Sequence, residues 1–118
     1  MGTVQITPEI YLDTKQSLLL VNNTPFPLFP IECKILEYLY NNRNRTVTHE
    51  MLQNKFWSGL SEANSRRRCK TYISNLRKIL KDNNKEIIQT WAKNGYKLII
   101  SPDIDKPSSI LKRFFHIN

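Results

Sequence analysis

Cysteine, histidine and long apolar runs are all scarce in this chain, and each scarcity closes off a class of protein. The two cysteines, Cys33 and Cys69, are too few for a disulfide framework. Both fall in apolar-periodic stretches, where cysteine reads as a small buried hydrophobe. His49 and His116 are the only histidines, which leaves little material for a metal site or a catalytic base. His49 reads as a solvated residue near a helix start. No nucleophile elbow, P-loop or metal-ligand cluster is present. No enzymatic activity, metal or cofactor is therefore expected. No window approaches the roughly 20 apolar residues of a membrane-spanning helix. The N-terminus lacks a basic head followed by an apolar run, so no signal peptide is read. A reducing cytoplasm fits both observations. Internal repeats and low-complexity segments are absent as well.

Acidic residues are the other deficit. Asp and Glu number 10 against 18 Lys and Arg, a formal net charge of +8. With 118 residues, 40% of them hydrophobic, the chain is one domain with a modest core. A domain this basic suits a polyanion, either nucleic acid or an anionic membrane surface.

The first third has strand character. Val4 and Ile6 alternate with polar neighbours, and Pro8 breaks the run. Residues 10–12, 17–21 and 24–28 are short extended runs separated by polar turns. The two prolines of the last run suit an edge strand. Pro30 then opens a helix at the position where its missing N–H is harmless. Cys33, Leu36, Leu39 and Tyr40 give that helix one apolar face. Val47 is a short extended link, Thr48 an N-cap, and Leu52 and Phe56, with Trp57 as a further candidate, the buried stripe of a second helix. A polar loop spans 58–65, and Ser61, Asn64 or Ser65 is the candidate N-cap of a third helix. That helix is expected from about Ser65 to about Lys81, with Cys69, Ile73, Leu76 and Leu80 as its core stripe. Residues 87–91 and 96–100 read as two strands, joined through Asn94-Gly95, a hairpin signal. The expected domain is 1–100, with 101–118 as a tail or linker.

The third helix carries the most informative pattern. Arg66, Arg67, Arg68, Lys70, Arg77, Lys78 and Lys81 are seven cations with no acid among them. Like charges at i,i+4 repel by a few tenths of a kcal/mol per pair, a penalty that an anionic partner removes. Arg68, Thr71, Tyr72, Asn75 and Lys78 are read as projecting away from the core stripe. Asn and Arg form bidentate hydrogen bonds with adenine and guanine respectively, and Thr and Tyr supply phosphate or thymine-methyl contacts. A helix that enters the DNA major groove needs this mixture. Lys93, near the hairpin tip, is placed to reach phosphate or the minor groove.

From Leu28 to Leu98 the chain resembles the OmpR/PhoB-type winged-helix DNA-binding domain. Five motifs carry the resemblance, in order: Leu28-Phe29-Pro30-Ile31-Glu32; Val47-Thr48-His49-Glu50-Met51-Leu52; Phe56-Trp57; Tyr72-Ile73-Ser74-Asn75-Leu76-Arg77-Lys78; and Gly95-Tyr96-Lys97-Leu98. The implied fold is α+β: a small N-terminal antiparallel sheet, three helices and a C-terminal β-hairpin wing. The implied function is sequence-specific double-stranded DNA binding at promoters, for transcription regulation. Trp57 would abut the DNA backbone. Arg66, Arg67, Arg68, Lys70, Thr71, Tyr72, Ser74, Arg77 and Lys78 would line the contact, with Arg68, Thr71, Tyr72 and Arg77 mainly on the phosphate side. Asn75 takes the place of a base-reading arginine, so a different base preference is expected. Thr90, Lys93, Asn94 and Tyr96 would be the wing's contribution. Phe29 stands where the family places a capping threonine, and Ala92 where many members carry a wing-tip arginine. The 58–65 loop would meet RNA polymerase, and binding to DNA in tandem or as a dimer is expected. With strands starting almost at Met1, no Asp-rich receiver domain is expected before them. That order is similar to the ToxR/CadC-type regulators, which implies a cytoplasmic domain tethered to the inner membrane in a longer chain. The alternatives are a winged-helix module for protein or RNA, and a membrane-surface binder using the basic-aromatic Lys112-Arg113-Phe114-Phe115 segment.

Overall fold

The computed structural model describes residues 2–91 and 95–100. Four short strands come first: β1 (Thr3–Thr7), β2 (Ile10–Asp13), β3 (Leu18–Val21) and β4 (Thr24–Pro27). They form an antiparallel meander in the order β1-β2-β3-β4. Register places Ile10 opposite Val21 and Leu12 opposite Leu19, so one face is apolar and buried. Asn22 and Asn23 make the β3–β4 turn with positive φ, a backbone that asparagine tolerates. Pro25 and Pro27 lie in the edge strand β4, where an absent N–H breaks no ladder.

Helix α1 (Pro30–Asn41) starts at Pro30 and buries Cys33, Ile35, Leu36 and Leu39. Tyr40, expected on that face, is only half-buried. Phe29 gives the helix no side-chain cap, as the sequence implied. Glu32 reaches back to a different donor, and one of its carboxylate oxygens accepts the Phe29 N–H at 3.0 Å. After α1 comes β5 (Val47–Thr48), then α2 (His49–Phe56), capped by Thr48 Oγ1, which accepts the Met51 N–H at 3.1 Å.

Helix α3 runs Glu62–Leu80, starting three residues before the expected Ser65. Ser61 is the cap, accepting the Asn64 N–H at 3.2 Å. Half of the expected 58–65 loop is therefore the first turn of α3. Ser65, Cys69, Ile73, Leu76 and Leu80 are buried along one stripe. Leu76 is fully buried, which contributes about 2 kcal/mol of transfer free energy. Lys81 closes the helix in the left-handed conformation, with φ 57°. Asp82 organises the next link. Its carboxylate is buried and accepts N–H groups from Glu86, Ile87 and Ile88 at 2.7, 3.0 and 2.8 Å.

Strands β6 (Ile88–Trp91) and β7 (Gly95–Leu98) form the C-terminal hairpin. The extended link β5 joins them in a second sheet of order β5-β7-β6, with Val47 opposite Tyr96 and Thr48 opposite Gly95. Gly95 was expected as a turn residue, but it is a strand residue without positive φ. Its glycine is needed for close approach: a Cβ there would run into the carbonyl oxygen of Val47. Asn44 fixes the far end of the sheet by a pair of hydrogen bonds with the Ile100 backbone, at 3.1 and 2.9 Å. The buried apolar residues of both sheets and all three helices join in one core.

Candidate nucleic-acid interface

Helix α3 divides into a buried stripe, two flanks and an exposed strip. From Arg67 to the helix end, the exposed residues are Arg67, Arg68, Lys70, Thr71, Ser74 and Lys78, continued by exposed Lys81 at the cap. This strip carries no acid. It differs from the expected face: Arg67, Lys70 and Ser74 are fully outward, whereas Tyr72 and Asn75 are half-buried on a flank. The reason is the helical repeat. Residues 67, 71, 74 and 78 keep the i, i+4, i+7, i+11 spacing directly opposite Cys69, Ile73, Leu76 and Leu80. Beside the strip, Leu60, Asn64, Arg67, Arg68, Thr71 and Tyr72 line an open groove of about 470 Å³. Thr71 Oγ1 is turned back to donate to the Arg67 carbonyl at 3.1 Å.

One flank faces the hairpin. Arg77, expected at phosphate, is bound inside the protein instead. Its Nε and Nη2 donate to the Ile88 carbonyl at 3.0 and 2.6 Å, and Nη2 donates to Thr90 Oγ1 at 2.9 Å. The guanidinium also lies 5.7 Å from the Tyr96 ring centre. Tyr96, expected at the DNA surface, is only 5% exposed and belongs to the core. The strand alternation explains this: Tyr96 and Leu98 share the buried face of the sheet. Burial pushes the Tyr96 hydroxyl up to about 12, and neighbouring Cys69 adds to the shift. Burial likewise pushes the Cys69 thiol up to about 12, with a hydrogen bond from Tyr96 pulling the other way. His49, read as a solvated residue, is half-buried and packs edge-on against Tyr96 at 5.4 Å. Burial, then the charges of Arg66 and Lys70, hold its imidazole below the usual value, with Glu62 opposing. Arg66 is paired with Glu62 at 3.0 Å.

The other flank faces α1 and α2. Tyr72 lies nearly parallel to Trp57, with ring centres 6.3 Å apart. Trp57 is the half-buried C-cap residue of α2 and also touches Phe56. The Asn75 amide nitrogen donates to Glu32 Oε2 at 3.2 Å, tying α3 to the first turn of α1.

On the hairpin, Thr90 is exposed at the Arg77 contact. Lys93 and Asn94 lie outside the described residues, as does Ala92. The sequence reading missed the outer face. Trp91 is 45% exposed and donates through Nε1 to Gln89 Oε1, while Lys97 Nζ sits 4.1 Å from its ring centre. Strand alternation would have found them: Gln89, Trp91 and Lys97 share a face opposite Tyr96.

Residues 23–98 match the family described as "Transcriptional regulatory protein, C terminal". Regulatory protein VanRB of Enterococcus faecalis is 36% identical over 98 residues, which is 83% of this chain. The chain spans 40% of that relative's length. Among solved structures, the DNA-binding domain of Escherichia coli CadC superposes with TM-score 0.69 at 23% identity, covering 86% of this chain and 94% of that one. The response regulator DrrB of Thermotoga maritima, an OmpR/PhoB homologue, superposes with TM-score 0.70 at 25% identity, covering 83% of this chain and 44% of that one. The three helices and hairpin are thus the winged-helix fold of these neighbours. The chain belongs to this transcriptional-regulator family as an OmpR/PhoB-type winged-helix domain.

Proposed function

We propose that the domain binds double-stranded DNA sequence-specifically to regulate transcription, with the exposed strip of α3 in the major groove and the hairpin on the flanking backbone. One observation carries this reading: the strip from Arg67 to Lys81 presents five cations with Thr71 and Ser74 and no acid, on a helix whose opposite stripe is core. A major groove about 12 Å wide accepts a helix, and such a strip supplies phosphate cations beside small hydrogen-bonding groups. Arg67, Arg68, Lys70, Lys78 and Lys81 neutralise phosphates, and Thr71, Ser74 and Asn75 lie toward the bases. Trp57, stacked on Tyr72, supports the backbone side. Thr90, with Lys93 and Asn94, contributes from the wing. The domain acts by binding and not by catalysis.

The relatives' names support the same reading, since CadC's matched part is a DNA-binding domain and VanRB a regulatory protein. Contact with RNA polymerase would fall on residues 58–65, the turn before Ser61 and the first turn of α3. Tandem or dimeric binding on adjacent half-sites, a cytoplasmic location, and a tether reached through residues 101–118 complete the proposal. No helix among the described residues is long and apolar enough to cross a membrane. The test is duplex binding across a salt series. Log affinity falls linearly with log salt, by about 0.9 for each phosphate neutralised. Salt-independent binding, or equal affinity for every sequence, overturns the reading.

A further inference from the structure

We propose that Glu32 is a positioning residue for base reading: by holding one N–H of the Asn75 amide, it fixes which edge of that amide meets the DNA and so selects adenine at one position. The inference rests on the major-groove reading of α3.

Glu32 stands in the first turn of α1 and is only 3% exposed. A buried carboxylate needs donors for its oxygens. Here each oxygen has one, and the two come from different elements. Oε1 accepts the Phe29 N–H at 3.0 Å, and Oε2 accepts from Asn75 Nδ2 at 3.2 Å. Oε1 is committed to the Phe29 backbone N–H at the start of α1. Oε2 is left for α3.

The chemistry then dictates the amide's orientation. A carboxylate has no proton to give, so the Asn75 atom that meets it is the amide nitrogen. An asparagine amide has two N–H groups and one carbonyl oxygen. With one N–H held by Glu32, Oδ1 and the second N–H remain. Adenine presents N6–H and N7 in the major groove, a donor and an acceptor that match this pair. Guanine presents two acceptors, O6 and N7, and the held amide meets them with one donor and one repelling oxygen. An unheld amide would turn over freely and lose that distinction. Holding it also removes rotamer freedom before DNA arrives, which lowers the entropy lost on binding. The surroundings favour the arrangement. Pro27, Phe29 and Ile79 wall the pocket around the Glu32–Asn75 link, and Lys78 of the exposed strip stands at its edge.

Selection from randomised duplex DNA tests this with wild type, Asn75→Ala and Glu32→Gln. Glutamine keeps an acceptor for the Phe29 N–H and so keeps the helix cap. Its NH2 then faces Asn75, and the asparagine amide turns over to accept from it. Wild type should prefer adenine over guanine at one position by on the order of tenfold. Asn75→Ala should lose that preference, and Glu32→Gln should flatten it or turn it toward guanine. If Asn75→Ala loses the preference while Glu32→Gln keeps it at full strength, Glu32 positions nothing and the proposal falls. If Asn75→Ala returns the wild-type motif, the amide reads no base, and the proposal falls for that separate reason. A second measurement needs no variant. In wild-type protein, one Asn75 side-chain amide proton should exchange slowly with water, both free and on DNA. Exchange of both protons at the rate of a free amide overturns the link.

Discussion

Arg67 and Arg77 are the same residue type on the same helix, and they face different neighbours. Arg67 stands on the exposed strip, and its guanidinium donates to exposed Asn64 at 3.3 Å. Arg77 stands on the flank and binds Ile88 and Thr90 of β6. The strip meets solvent, whereas the flank meets the hairpin. A count of charges therefore overstates the cations open to DNA. Of the seven on α3 and its cap residue Lys81, Arg66 is paired with Glu62 and Arg77 holds the wing, which leaves five. The helix's share of the salt slope should be about −4.5 and not about −6.3, at about −0.9 per phosphate.

The largest expected effect comes from breaking the flank at its base. Gly95→Ala sets a methyl group against the Val47 carbonyl and must part β5 from β7. Denaturant unfolding should show a loss of about 3 kcal/mol, and wild-type stability in this variant removes the close-approach account. Arg77→Ala comes next. It leaves the Ile88 carbonyl without its charged donor and should cost about 1.5–3 kcal/mol of stability. Measured where the protein is folded, its salt slope should match wild type. A slope shallower by about 0.9 returns Arg77 to the phosphate contacts. Lys78→Ala reverses the pattern. Stability should stay within about 0.5 kcal/mol, and the slope should become shallower by about 0.9. A stability loss with an unchanged slope would mean that the strip and the flank have been assigned the wrong way round.

The smallest effect is a gentle pH dependence. Native His49 has its pKa held below the usual 6.5, so between the two values the unfolded chain binds a proton that the native state does not. Stability therefore rises with pH through that window and declines on acidification below about 6.5. Unfolding titrations of wild type and His49→Gln should differ in that slope, with the variant flatter. Identical slopes would place His49 in ordinary solvent.

Elements and core were legible because periodicity and capping are local. Cys69, Ile73, Leu76 and Leu80 announced the buried stripe, and Thr48 announced the start of α2. Phe29 announced a missing side-chain cap, and Glu32 keeps only the reciprocal half of the box, accepting the Phe29 N–H. The flanks were not legible. Whether Arg77 meets phosphate or the Ile88 carbonyl depends on where β6 docks, and no spacing along α3 encodes that. Tyr96 illustrates the same gap from the other side. The family motif marked it as important, and only the sheet's pairing with β5 shows that it serves the core. Ser61 was one of three candidate caps, and its choice moved the helix start enough to bring Glu62 onto Arg66.

The two-residue strand β5 has a consequence for the order in which this domain assembles. The meander β1–β4 pairs only sequence neighbours, and each closure spans a short turn. The second sheet pairs Val47 with Tyr96, across the whole length of α2 and α3. Closing a loop of that size costs entropy that no local contact returns, so the β5–β7 seam should form late. A nascent chain still missing β7 already holds every helix but has no partner for β5. The wing is accordingly not a portable hairpin. Transplanted without Val47, Thr48 and Arg77, it loses the third strand and the clamp that hold it upright.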